Sequence, residues 1–490
     1  MDLILIAAIV LASASLGIPF FQLAKRRTML PGYLLVAALL VALAIVALNT
    51  LSPQPASDFG GLLASDGLGG LFGIVTLSVS LVVGVVSLPL ISERKNAPLY
   101  YSLLGFSALG MLFLSYSANL LMLFVAWELM SLPTYALAGF DKKREESNEA
   151  AAKYAILGAL SSAILLYAIS LAYGAAGTLQ ISGVVAAFGS SSLSSDPLAL
   201  LSILLFIVGF GFKMSIVPFH MWVPDAYEGA PITVSTLFAA ATKKAGFVAA
   251  IRVVLAATTL FAATQNSIFT VPNVLAVLAL ATMTLGNVAA LTQKSMTRLL
   301  AYSSIAQAGY IMIGFVIFAY AGANPAFAAQ GELGLTGSLF QIVNHAIMVS
   351  AAFVAASVVL VGLKRADLKA FDGLASRGPI TAFTLTISML ALAGVPPLNG
   401  FWSKLLLFLS VVNGPYAWLA VAAVLNSAFS LAYYLWIVKR MYMDAPDSSE
   451  KLKEPTLLIL VLAVLTALMV GLGLFPQLGI AFAHNALPPG

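Results

Sequence analysis

The chain has 490 residues, of which 61% are hydrophobic and only 9% are charged. Since about a quarter of the residues in a soluble domain are charged, this composition excludes an ordinary soluble protein and predicts one whose apolar surface is covered by lipid. The net charge of +5 is not a sign of nucleic-acid binding, because it comes from lysines and arginines in the loops between apolar runs.

Apolar runs of about 20 residues, the length that crosses the hydrocarbon layer, recur along the whole chain. Because backbone groups in lipid must be hydrogen-bonded internally, these runs predict α-helices. We expect an all-α polytopic membrane protein with about fourteen transmembrane helices. The predicted spans are residues 3–21, 31–51, 68–91, 99–117, 119–140, 150–174, 197–222, 231–258, 268–290, 296–320, 335–362, 379–410, 416–442 and 455–479.

The basic residues predict the orientation of these spans. Eighteen of the 24 lysines and arginines follow odd-numbered spans, and the loops after even-numbered spans hold none. The positive-inside rule therefore places the odd-to-even loops in the cytoplasm and both termini outside, in a multi-pass protein of the cell membrane. The first run lacks a basic n-region and a small-residue cleavage site, so we expect it to be a retained helix.

Some ionisable residues lie well inside the predicted spans, namely Glu128, Lys213, Lys243, Lys244 and Lys404. A charge at mid-membrane costs about 3 kcal/mol, so such residues are expected to pair, to line a hydrated cavity or to carry ions. One glutamate cannot pair with four lysines. We expect a lysine beside Glu128 to load and release a proton as the pair forms and breaks, and a static ion pair is the alternative. Lys153 and Arg252 lie near the ends of spans and are expected to snorkel to the interface.

Two spans carry prolines close to these lysines. Pro218 follows Lys213, and the pair Pro396-Pro397 precedes Lys404. Proline breaks helical hydrogen bonding, and unwound backbone in a membrane is tolerated only inside protein or beside water. We therefore expect discontinuous helices that mark an ion path, with an ordinary proline kink as the alternative.

The breaks fall in spans 7 and 12, five spans apart, and an odd offset reverses orientation. This spacing predicts two inverted five-helix repeats. The predicted organisation is three N-terminal helices (1–98), a first repeat (99–258), a second repeat (268–442), and a C-terminal helix with its tail (455–490).

The sequence has no cysteine and only three histidines. It therefore predicts no self-contained iron–sulfur cluster, no c-type haem and no metal cage, and no nucleotide-binding loop is visible. We expect this chain to bind no cofactor, so its energy source is a partner chain or an ion gradient. His220 and His345 are candidates for proton relay or for a structural role. His484 is expected to have no specific role.

Several motifs occur in order along the chain: Trp127-Glu128 with Pro133, Gly211-Phe-Lys213, the stretch Pro218–Pro231, Thr242-Lys243-Lys244 and Pro396–Lys404. These motifs resemble those of the antiporter-like membrane subunits of complex I, the NADH–quinone oxidoreductase, and the likeness covers essentially the whole chain. Val349, four residues after His345, stands where L- and M-type members often have a lysine. The sequence also ends without the lateral helix of L-type members. Both features favour the N type, or its archaeal F420H2 dehydrogenase counterpart.

The resemblance implies a role for each buried charge. Glu128 corresponds to the family's glutamate that is paired with the key lysine, and Lys213 corresponds to that lysine. Lys243 matches the central lysine of helix eight, and Lys244 is an extra neighbour that is able to share its role. Lys404 matches the exit-side ionisable residue of helix twelve.

The function expected from the resemblance is proton translocation, coupled to electron transfer on partner subunits of a complex-I-like assembly. The expected partners are other membrane subunits, the lipid bilayer and protons. The alternative is a subunit of a cation/proton antiporter or of a membrane-bound hydrogenase, and a third possibility is a structural scaffold. The sequence names neither the electron donor (NADH, F420H2 or ferredoxin) nor the quinone.

Overall fold

The computed structural model of the chain describes residues 3–24, 29–51, 59–92, 94–189, 196–255, 270–363, 365, 367–446 and 451–487. These residues form helices and hold no β-strand, which confirms the predicted all-α class. The α-helices are α1 (Leu3–Gly17), α2 (Leu30–Leu51), α3 (Gly67–Ile91), α4 (Ala97–Tyr116), α5 (Leu120–Ala138), α6 (Glu145–Ala176), α7 (Ile181–Phe188), α8 (Pro197–Met214), α9 (Trp222–Gly229), α10 (Ile232–Leu237), α11 (Lys243–Ala250), α12 (Val271–Leu291), α13 (Met296–Ala323), α14 (Ala328–Leu363), α15 (Leu374–Arg377), α16 (Pro379–Ala393), α17 (Asn399–Val412), α18 (Ala417–Met443), α19 (Thr456–Leu474) and α20 (Pro476–His484).

Within the described part of the chain, twelve helical segments are long and apolar enough to cross a membrane. The other two predicted spans, 231–258 and 379–410, are divided into shorter helices, so the count of fourteen remains a prediction. The short α7 was not predicted, because eight residues are too few to span a bilayer. Four of the basic residues used to orient the chain, Lys25–Arg27 and Lys364, lie outside the described residues.

Several helices begin at side chains that bond the free N–H groups of the first turn. Asp66 accepts from Gly69 N at the start of α3, and Asn119 accepts from Leu121 N at the start of α5. Asp196 does the same for α8, whose first residue is a proline. Because the first N–H groups of a helix have no intrahelical partner, these caps fix where the spans begin.

The helices that carry prolines near lysines are broken. α8 ends before Ser215, and α16 ends before Gly394; both residues adopt left-handed backbone angles, with φ of 63° and 87°. In each case the N–H of the residue that follows this left-handed residue donates to the carbonyl five residues before it, at 3.0 Å. The chain then turns and resumes helical structure at Trp222 and Asn399. Both breaks therefore lie where the prolines predicted them.

The segment from α10 to α11 is one helical path with two wider turns. Residues Phe238–Thr242 and Ile251–Leu255 form π-helical turns on either side of α11. A π turn is rare and frequently marks a functional site. Gly246 lets α11 approach the end of α8, since a side-chain carbon there would lie 3.1 Å from Cβ of Lys213.

The helix α14 lies at the centre of the second half. It packs against α10, α13, α16, α17 and α19. Most of its residues between Gly334 and Val359 are buried, among them His345. Through these contacts α14 joins α10 of the first half to α17, which carries Lys404.

Candidate functional site

The four lysines predicted to lie within spans are buried. Their exposed fractions are 1% for Lys213, 1% for Lys243, 0% for Lys244 and 3% for Lys404. Among the described residues, no carboxylate oxygen lies within 4.0 Å of any of these amines. Each amine is instead held by neutral groups on neighbouring helices.

Lys213, in the last turn of α8, donates hydrogen bonds to Tyr154 Oη at 2.8 Å and to Ser131 Oγ at 3.0 Å. Glu128 lies one turn before Ser131 on α5, and its carboxylate accepts a hydrogen bond from Ser162 on α6. The structure therefore places Glu128 and a hydrogen-bond acceptor of Lys213 one turn apart on α5, without a direct ion pair between Glu128 and Lys213.

Protein groups satisfy the backbone at the α8 break. Trp222 Nε1 donates to the Phe212 carbonyl at 2.8 Å, and Thr282 on α12 accepts from Val217 N at 3.0 Å. The Tyr154 ring stacks on Trp222 with centroids 4.3 Å apart. Because unwound backbone inside a membrane needs such partners, these contacts hold Lys213 at a fixed position.

The adjacent lysines of α11 have different partners. Lys243 Nζ donates to the carbonyl and the hydroxyl of Ser304 on α13, at 3.0 and 2.8 Å. Lys244 Nζ contacts His345 Nδ1 on α14. Lys244 is therefore a second site, linked to the predicted relay histidine, and not a duplicate of Lys243.

The two candidate relay histidines have different surroundings. His345 is fully buried, and its Nε2 has no hydrogen-bond partner within the described residues. His220 lies in the turn between α8 and α9, is only half-buried, and has no partner there for Nδ1. The structure joins His345 to Lys244 and shows no hydrogen bond between His220 and any of the four amines.

Lys404, on α17, holds the second helix break. Its amine donates to the carbonyls of Leu392 and Ala393 and to Ser427 Oγ, each at 3.0 Å. The two carbonyls close α16, where the last carbonyls lack an intrahelical partner and the helix dipole favours a cation. The Tyr310 ring lies 4.7 Å from the same amine.

A row of neutral polar groups, not predicted from the sequence, lies between the α11 and α17 lysines. Ser303 Oγ and Tyr434 Oη are 2.6 Å apart. The amide of Gln307 donates to Tyr434 Oη at 3.5 Å and to the Leu392 carbonyl at 2.9 Å. The sequence did contain a feature that indicates these groups: amide side chains within apolar spans. The structure buries four of them, at Gln307, Gln341, Asn344 and Asn399.

Arg252, which was expected to snorkel to the interface, forms an ion pair at the start of α3. Its guanidinium donates to both carboxylate oxygens of Asp66, at 2.8 Å each, and to the Ser115 carbonyl. The Arg252 side chain is only 9% exposed. The ion pair ties the end of the α11 segment to the start of α3, because a carboxylate from a distant loop lies within reach.

A cluster of ion pairs joins α9, which is not a candidate span, to the N-terminal part of α6 and the first turn of α13. Asp225 accepts from Lys153 at 2.6 Å and from Arg298 at 2.8 Å, and Arg298 also bonds Glu228 at 2.9 Å. Burial alone would raise the pKa of Asp225, but the two hydrogen bonds outweigh it and lower the pKa of that carboxyl below its ordinary value. Lys153 is half-exposed and paired in this cluster.

The chain is similar to known membrane proteins along most of its length. Residues 117–430 match the family "NADH:quinone oxidoreductase/Mrp antiporter, TM". F420H2 dehydrogenase subunit N of Methanosarcina mazei is 39% identical over 438 residues, which cover 87% of this chain and 85% of that protein. NADH-quinone oxidoreductase subunit N of Desulfitobacterium hafniense is 37% identical over 426 residues, with 86% and 84% covered. A chain of respiratory complex I from Thermus thermophilus matches 97% of this chain and 98% of its own length, with a TM-score of 0.80 and 31% identity.

Proposed function

The chain belongs to the family of NADH:quinone oxidoreductase and Mrp antiporter membrane proteins, and from this premise we propose that it is a proton-translocating subunit of a complex-I-like NADH or F420H2:quinone oxidoreductase. Relatives that are at least 37% identical over most of the chain are N subunits of NADH–quinone oxidoreductase and of F420H2 dehydrogenase. The proposed partners are the other membrane subunits of such a complex.

The observation that carries the proposal is the set of four buried lysine amines that are held by neutral acceptors. A buried charge that is locked to a carboxylate costs about 3 to 5 kcal/mol to separate. A hydrogen bond from a charged group to a neutral one contributes about 1.5 to 3 kcal/mol, so such an amine exchanges its proton at a lower cost. The proposed path runs from Glu128 and Lys213 through Lys243 and Lys244 to Lys404.

Glu128 is proposed to act as the switch at the start of this path. Glu128 lies one turn along α5 from Ser131, which accepts from Lys213. When the carboxylate turns toward the lysine, the ammonium is stabilised. When Ser162 holds the carboxylate, as in the structure, Lys213 is free to pass its proton toward α11.

The redox chemistry is proposed to take place on partner chains, because the cysteine-free sequence offers no ligands for an iron–sulfur cluster. The basic loops support a position in the cell membrane with both termini outside. In that orientation the ion-paired cluster of Asp225, Lys153 and Arg298 faces the cytoplasm. Protons are then taken up from the cytoplasm and released outside.

The second candidate is a subunit of a cation/proton antiporter, because the matched family includes Mrp antiporter proteins. The same lysines would then move protons against sodium without an electron donor. Sodium-dependent exchange in vesicles that lack a donor supports this candidate. Neighbouring genes for quinone-site and iron–sulfur subunits support the first.

Replacement of Lys213 or Glu128 by alanine tests the proposal. We expect the complex to assemble and to transfer electrons, while proton pumping in inverted membrane vesicles is nearly abolished, because the switch or its lysine is missing. Lys95→Ala is the matched control, since Lys95 is an exposed loop lysine, and it should pump normally. Full pumping by both the Lys213 and the Glu128 variants refutes the proposal.

A further inference from the structure

Gln307 on α13 lies at the junction of the hydrogen bonds around the second helix break. Its Nε2 donates to the Leu392 carbonyl at 2.9 Å, and the same carbonyl accepts from Lys404 Nζ at 3.0 Å. Its Oε1 accepts from Gln341 Nε2 at 2.8 Å. Gln341 Oε1 in turn accepts from Ser403, the residue before Lys404. Two separate connections thus join Gln307 to the α17 lysine.

The position of Gln307 matches that of Glu128 in the first half. The left-handed residues that end α8 and α16 are 179 positions apart. The same offset relates Glu128 on α5 to Gln307 on α13, and Ser162 on α6 to Gln341 on α14. Ser162 donates to Glu128, and Gln341 donates to Gln307. The second half therefore holds a neutral amide, which cannot ionise, where the first half holds a carboxylate.

We propose, on the basis of the proposed function, that Gln307 is a positioning residue for proton release from Lys404. As an ammonium, Lys404 donates to three acceptors, among them the Leu392 carbonyl at the helix break. When the lysine gives up its proton it has fewer donors, and a buried carbonyl left without a partner is costly. The Gln307 amide keeps the Leu392 carbonyl paired, so the lysine releases its proton without leaving an unsatisfied group.

A neutral residue at this position also avoids holding the ammonium in place. A carboxylate there would stabilise the charged lysine and oppose its deprotonation. The amide supplies the hydrogen bond without the charge. This difference separates the two halves chemically: the carboxylate of Glu128 switches a lysine, and the amide of Gln307 supports one that releases its proton.

The test uses the assembled complex in inverted membrane vesicles, with electron transfer and proton pumping measured together. In Gln307→Leu we expect about tenfold slower pumping at neutral pH, the effect of one lost hydrogen bond of about 1.4 kcal/mol. In Gln307→Glu, whose side chain has the same size, we expect slow pumping at neutral pH and recovery at higher pH, where the lysine releases its proton despite the carboxylate. Asn49→Leu is the control, because Asn49 is also a buried amide and its side chain donates to Ser65, not to a partner of the lysines.

The outcomes separate this inference from the proposed function. If Gln307→Leu pumps at the wild-type rate while Lys213→Ala does not, the role of Gln307 is overturned and the proposed function stands. If Gln307→Leu, Lys213→Ala and Glu128→Ala all pump fully, both ideas fall. Should Gln307→Leu fail to assemble, the pH profile of Gln307→Glu decides: an alkaline shift supports the role, and a profile like that of the wild type overturns it, because a merely structural amide would not move the profile.

Discussion

The ion pair between Arg252 and Asp66 should stabilise the end of the α11 segment by a measurable amount. Removing one partner of a fully buried pair costs about 3 to 5 kcal/mol, and an exposed pair contributes at most about 1 kcal/mol. Here Arg252 is 9% exposed and Asp66 is 33% exposed, so water reaches the carboxylate but hardly the guanidinium. We expect Asp66→Asn, which keeps the N-cap of α3, to cost about 2 kcal/mol.

The absence of cysteine from the chain provides the assay. Ala249→Cys places one thiol at a fully buried position, three residues before Arg252. The rate at which a maleimide labels this thiol in the assembled complex, read by peptide mass spectrometry, reports how often the segment opens. A loss of 2 kcal/mol should raise the labelling rate about 30-fold in both Asp66→Asn and Arg252→Gln.

The control is Ala126→Cys on α5, a buried position far along the chain from the ion pair, where labelling should not change. Combining Asp66→Asn with Arg252→Gln should recover part of the loss, because no unpaired charge remains. If labelling at position 249 changes by less than about threefold in both single variants, the pair contributes no more than an exposed one, and our reasoning about burial is refuted.

Two further predictions concern the neighbouring lysines and the cluster at α9. Lys243→Met should abolish proton pumping, because it removes the amine that Ser304 binds. Lys244→Met and His345→Leu should each slow pumping by a similar, partial amount, and the double variant should be no slower, because both changes remove the same Lys244–His345 contact. Effects that add in the double variant would contradict a shared site. The pKa of Asp225 is lowered in the folded chain. Ionised Asp225 therefore stabilises the folded chain above about pH 4, the ordinary pKa of an aspartate, and this effect is lost as the pH falls through the folded-state pKa. Asp225→Asn should therefore lower the thermal stability of the complex at pH 7, and its difference from wild type should shrink in acid; a difference that is independent of pH would contradict the ionic role.

The helix breaks and the buried lysines were predictable because both follow from strong local physics. A proline cannot donate within a helix wherever it occurs, so Pro218 and the Pro396-Pro397 pair mark breaks without any knowledge of the fold. A lysine inside a long apolar run is unusual whatever surrounds it. Lys213 and Lys404 were therefore identified from the sequence, and the structure buries both.

The partners of these lysines were not predictable in the same way. Sequence reasoning paired Glu128 with Lys213, but the direction of a carboxylate depends on which hydroxyl reaches it, and Ser162 lies on a different helix. A π turn directly precedes Lys243, and neither composition nor periodicity signals such a turn. Gln307 was not predicted because its side chain carries no charge, although a buried amide also needs hydrogen-bond partners in lipid.

The partners found in the structure bear directly on how a charge could cross from one half of the protein to the other. Three of the four lysines bond hydroxyl groups, and Lys404 also bonds two backbone carbonyls. All of these acceptors are neutral, so no step between lysines requires two full charges to separate inside the membrane. In the proposed path, a proton that moves along this row exchanges one neutral acceptor for another, and the proposed role of the Glu128 carboxylate is to bias the direction. A second carboxylate at the Gln307 position would add a competing trap at the far end, which is the physical reason to expect an amide there.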